Sequence, residues 1–75
     1  MPRTNVNRVA TKYRRFNDWL RGELKDRRMT QKQLAEYLGI EQPTLSGRMN
    51  GTIEWPFRDV LEVLEYFNAS FDVVF

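Results

Sequence analysis

The sequence predicts an all-α domain, a small helical bundle that ends in one short C-terminal β-strand. Three observations predict it. Apolar residues recur at three- and four-residue steps in four separate stretches, the spacing of one helix face. Gly39 and Gly51 fall where the middle stretches stop, and glycine is the residue that ends helices in a left-handed conformation. From Ser70 the period changes to two, with Phe71, Val73 and Phe75 on one side and Asp72 and Val74 on the other. That alternation, with its aromatic and β-branched content, reads as a strand. The 75 residues suffice for one domain with a modest core.

Taken in order, residues 1–11 read as a basic arm, which carries Arg3 and Arg8 and only Val6, Val9 and Ala10 as apolar content beyond the first residue. So little apolar surface does not offset the cost of ordering the backbone, although a short extended piece at 6–10 fits the two valines. The first helix is expected over Lys12–Arg27. Phe16, Leu20 and Leu24 form its stripe, widened by Tyr13 and Trp19, while Arg14, Arg15, Asp18, Arg21 and Lys25 take other faces.

Thr30 opens the second helix with Gln33 three residues on, the spacing of a capping box. Leu34, Ala35 and Leu38 are its apolar face, Gly39 its end, and Ile40 packs across the turn. A third helix, Gln42–Asn50, places Pro43 in its first turn, where proline is tolerated, and directs Leu45 and Met49 inward. At 100° per residue, Pro43, Ser46, Gly47 and Asn50 then face outward with Gln42 and Thr44 on the flanks.

The fourth helix runs from Pro56 to about Phe67. Its apolar set of Phe57, Val60, Leu61, Val63, Leu64, Tyr66 and Phe67 is too broad for one stripe, so part of it is expected to meet a second partner. Glu54, Asp59, Glu62 and Glu65 are expected on the remaining, solvated face. A lone strand at Ser70–Phe75 needs a partner strand; within the chain only Val6–Ala10 offers one, and a two-fold-related copy is the simplest candidate. Dimerisation is therefore expected to use Val63, Tyr66, Phe67, Phe71, Val73 and Phe75. The resulting division is an arm at 1–11, a helical domain at 12–68 and a dimerising strand at 69–75.

Charge and composition narrow the function. Residues 1–32 hold ten Lys or Arg against three acids, net +7, whereas residues 33–75 hold two against seven, net −5. Such segregation suits one face turned to a polyanion. The chain has no cysteine and no histidine, which removes thiolate metal sites and the commonest general base. Ser46 has no histidine to activate it, and no glycine-rich phosphate cradle is present. An enzyme is not expected, nor is any cofactor or metal. No apolar run approaches the roughly 20 residues of a membrane span, so the expected location is the cytoplasm of a bacterium or a phage-infected host.

The stretch Thr30–Gly51, with its two short helices about a tight glycine turn, has the outline of a helix-turn-helix. Its Thr30, Gln31, Leu34, Ala35, Leu38, Gly39, Ile40, Leu45, Asn50 and Gly51 resemble the Cro/CI-type (Xre) family of DNA-binding proteins, and the resemblance covers about Phe16–Phe67. It implies a compact bundle of four to five helices of lambda-repressor-like type, with Gln42–Asn50 as the recognition helix on double-stranded DNA. It implies further that Gln31 contacts phosphate and braces Gln42, that Gln42 reads adenine, and that Asn50 contacts phosphate. A glutamine amide does match adenine N6 and N7.

Beside these, Ser46 is placed for a base edge, Gly47 for close backbone approach and Pro43 for a thymine methyl. Arg48 stands where the family usually has an apolar residue; it is expected to grip DNA or to pair with an acid such as Glu41. Thr44, Lys32, Arg14 and Arg15 complete the phosphate contacts. The leading expectation is a sequence-specific transcriptional regulator, a phage-like repressor, acting as a homodimer on an inverted repeat. The alternative is an antitoxin-type module that holds a partner protein through its apolar C-terminus.

Overall fold

A computed structural model of the chain describes residues 13–75. Five helices lie among them: α1 (Arg14–Asp26), α2 (Gln31–Leu38), α3 (Gln42–Asn50), α4 (Phe57–Tyr66) and α5 (Phe71–Val74). The basic arm expected at 1–11, and Lys12 with it, falls outside the described residues.

Each of the first four helices ends in the same way. The residue one place beyond the helical run, or two beyond it for α1 and α4, takes positive φ: Arg28 (55°), Gly39 (74°), Gly51 (86°) and Asn68 (56°). The amide of the next residue then donates five residues back, from Met29 to the Leu24 carbonyl at 2.8 Å, Ile40 to Ala35 at 3.0 Å, Thr52 to Gly47 at 3.0 Å and Ala69 to Leu64 at 2.9 Å. This Schellman closure satisfies carbonyls that a helix end leaves orphaned. The capping box at the start of α2 also forms: the Gln33 amide donates to Thr30 Oγ1 (3.1 Å) and the Thr30 amide to Gln33 Oε1 (2.8 Å).

The core is built where the helical phase directs it. Phe16, Leu20 and Leu24 of α1 meet Leu34, Ala35 and Leu38 of α2, Leu45 and Met49 of α3, and Val60, Val63 and Leu64 of α4. Ala35 is buried in the core cluster, where a larger side chain would strain the packing. Trp55, in the loop before α4, is the largest fully buried side chain and meets Phe16 edge-to-face at 5.0 Å.

The C-terminal segment corrects the sequence reading. Ser70–Phe75 is not a strand, and no strand occurs among the described residues; the segment is the helical turn α5, with Ser70 extended before it. Its bonds are local, from the Val73 amide to the Ser70 carbonyl (3.1 Å) and from the Phe75 amide to the Phe71 carbonyl (3.0 Å). An unpartnered strand leaves its backbone groups to solvent, whereas a turn of helix satisfies several internally. Packing selects the same state: Val74 is buried, and Phe75 stacks on Phe16 with centroids 5.2 Å apart and rings within 9° of parallel. Phe71 and Phe75, four residues apart, stack on each other at 4.5 Å as helical neighbours do.

The expected dimer set is corrected with it. Val63 is 0% exposed and Phe67 4%, both inside the core, with Phe67 edge-on to Trp19 at 5.7 Å and beneath the Arg27 guanidinium. The broad apolar set of α4 thus divides, leaving Phe57 and Leu61 outside with Tyr66, which packs on Tyr37 at 4.4 Å. Phe71 and Val73 are exposed and Phe75 is half-buried.

Candidate nucleic-acid interface

The sequence of α3 separates its two sides. Glu41 is extended ahead of it and Pro43 lies in its first turn, so the helix begins at Gln42 without needing a proline amide. Leu45 and Met49 are sealed into the core, which leaves Gln42, Pro43 and Asn50 exposed and Thr44, Ser46 and Gly47 half-buried. Lys32 is exposed in the first turn of α2, and Gln31 beside it is half-buried. The helix pair therefore presents a polar side to solvent, and a single helix is what a major groove admits.

Within it, Gln31 and Ser46 are joined. The Ser46 hydroxyl donates to Gln31 Oε1 at 2.6 Å, tying the start of α2 to the middle of α3. The glutamine expected to brace Gln42 is thus engaged with Ser46. The bond occupies the serine proton and leaves both protons of the Gln31 amide available. Gly47 has a local reason to be small: a Cβ there would stand 2.4 Å from Cδ1 of Ile53 and 2.9 Å from its Cγ1. Ile53 follows the Gly51 turn, and its amide and that of Thr52 both close on the Gly47 carbonyl. Arg14 is exposed, and Arg15 donates to the Phe75 carbonyl at 3.2 Å, which directs it to the C-terminal end of the chain.

Arg48 is the clearest departure. Its side chain is 11% exposed and points into the bundle, where Nη1 pairs with Asp59 Oδ2 at 2.6 Å. The guanidinium lies 5.6 Å from the Trp55 ring centroid. The acid it pairs with is Asp59 and not Glu41, because its place on α3 is an inward one and burial obliges the charge to find a buried partner. Asp59, expected on the solvated face of α4, is that partner and is itself buried.

Around this pair lies a polar network that sequence reasoning missed. Asn17, 3% exposed, donates through Nδ2 to the Arg48 carbonyl (3.0 Å) and accepts at Oδ1 from Trp55 Nε1 (2.8 Å). Arg21 Nη2 donates to the Met49 carbonyl at 2.6 Å, and Tyr13 OH to the Trp55 carbonyl at 3.1 Å. One signal was present in the sequence: Asn17 shares the helical phase of Leu20 and Leu24, so a polar side chain stood on the apolar stripe.

Among the described residues no helix is long and apolar enough to cross a membrane, and no group of three metal-ligating side chains converges. Comparison with curated proteins and with solved structures found no match. A family model described as helix-turn-helix matches residues 20–74, the span that holds α2, α3, α4 and the C-terminal half of α1. The match covers well over half of the chain and includes the turn, the caps and the polar surface just described. The chain belongs to the helix-turn-helix family of the Cro/CI (Xre) type, DNA-binding regulators of transcription.

Proposed function

We propose that the protein is a repressor that binds an inverted-repeat operator as a homodimer, in the cytoplasm of a bacterium or a phage-infected host. The carrying observation is the exposed Gln42 in the first turn of a helix whose opposite side is sealed by Leu45 and Met49. Its amide is free to take the bidentate pattern of adenine N6 and N7, and Pro43 offers an apolar contact to a thymine methyl. Gln31, Lys32, Thr44 and Asn50 hold the backbone on either side, and Ser46 acts on this surface through Gln31. Arg14 and the basic arm add salt-sensitive affinity without sequence information.

The dimer surface is the exposed apolar set Phe57, Leu61, Phe71 and Val73. Phe57 is 64% exposed and Val73 66%, and an apolar groove of about 360 Å³ opens beside them, lined by Tyr13, Phe57, Val60, Phe71 and Phe75. Two subunits joined here would set their recognition helices in successive major grooves, about 34 Å apart. Repression follows from occlusion of polymerase at the operator.

Selecting bound duplexes from a random DNA pool tests this reading. A palindromic consensus with half-sites one helical turn apart is expected, and an unenriched pool would overturn it. The same exposed surface favours a second reading, an antitoxin-like module whose apolar face holds a partner protein. Sedimentation separates the two: a concentration-dependent dimer supports the repressor, and a monomer at all concentrations supports the partner-binding module.

A further inference from the structure

We propose that Asn17, Arg48 and Asp59 are positioning residues for DNA recognition, a lock that sets the angle of α3 in the bundle without touching the nucleic acid. The inference rests on the DNA-binding reading of α3. Leu45 and Met49 hold that helix by apolar contact, which is non-directional and tolerates rotation and sliding. Beside the Ser46–Gln31 bond to α2, the directional bonds described for α3 come from behind and from its C-terminal end. There the carbonyls of Arg48 and Met49 accept from Asn17 and Arg21 of α1, and the Arg48 guanidinium reaches Asp59 of α4. Asn17 is the hub, since its amide also accepts from the Trp55 indole and so ties α1, α3 and the loop before α4 into one network.

A hydrogen-bonded network of this kind has one satisfied geometry, and departures leave buried polar groups exposed to their desolvation cost. It is not ideal for stability alone. Arg48 Nε is buried with no hydrogen-bond partner, and a well-packed apolar pair in place of a buried ion pair is often neutral or stabilising. Retaining the charged pair beneath the recognition helix therefore fits a role in orientation.

The test uses the full chain and two variants, Asn17→Leu and the double substitution Arg48→Met with Asp59→Leu. Three readouts are compared: the thermal unfolding midpoint, the affinity ratio between the selected duplex and a random one, and backbone amide shifts of α3 in the free protein. The double variant is expected to keep or raise its midpoint, to lose at least tenfold in the affinity ratio with random-duplex binding unchanged, and to shift the α3 amides beyond the substituted sites. Asn17→Leu is expected to lower the ratio in the same way when measured well below its midpoint. Unchanged ratios and unchanged α3 shifts in the folded variants would overturn the lock. If the parent protein selects no duplex while both variants displace α3, the lock stands and the operator reading falls.

Discussion

Gln42 and Arg48 lie six residues apart on one helix and end in opposite environments, and that contrast is the lesson at the scale of single residues. Gln42 is exposed and free to meet a base edge, so Gln42→Ala is expected to weaken operator binding by about 1–3 kcal/mol and to leave random-duplex binding nearly intact. Fluorescence anisotropy on the two duplexes measures it, and equal losses on both would remove Gln42 as a reader. Arg48 is committed to the interior. Asp59→Ala strands its buried charge, and a destabilisation of about 3–5 kcal/mol in urea unfolding is expected. A loss below about 1 kcal/mol would mean that the pair is solvated in solution.

At the scale of elements, the four Schellman closures are equal in hydrogen bonding but unequal in strain. Gly39 and Gly51 adopt positive φ without a Cβ to clash, whereas Arg28 carries a full side chain at φ 55°. Arg28→Gly is accordingly expected to stabilise the protein by about 1 kcal/mol, seen as a raised midpoint; a lowered one would place the Arg28 side chain in a stabilising contact. The last element gives a sharper contrast. Val74 is buried and Val73 exposed, so Val74→Ala is expected to cost on the order of 2 kcal/mol and Val73→Ala less than about 0.5. A paired strand with Phe71, Val73 and Phe75 inward would reverse that order, and thermal unfolding of the two variants decides between them.

The whole molecule is organised by charge as well as by packing. Its basic residues crowd the first 32 positions, and acids dominate the rest. Binding to DNA is expected to weaken with salt at a log–log slope of about −0.9 per neutralised phosphate, and Lys32→Ala should reduce the slope by about one without changing the selected sequence. A slope unaffected by Lys32→Ala would take that side chain off the phosphate backbone. The apolar rim of Phe57, Leu61, Phe71 and Val73 stands apart from this polar surface in composition, as the proposed binding of both DNA and a second subunit requires.

Features that depend on near neighbours along the chain are readable from the residues alone. The capping box of Thr30 and Gln33, the left-handed glycines at 39 and 51, the first-turn proline of α3 and the inward phase of Leu45 and Met49 are all set within a few residues. Together they made the helix-turn-helix legible. Features that rest on distant partners were settled by how the helices pack. Helical phase groups residues on one face but does not say what that face meets, so the broad apolar set of α4 did not reveal that Val63 and Phe67 are buried and Leu61 is not. Arg48 found Asp59 eleven residues away, and Asn17 found Trp55 across 38. The final residues alternate like a strand, yet a segment that short takes the conformation its surroundings stabilise. Phe16 offered Phe75 a stacking surface, and among the described residues no second strand stood beside it.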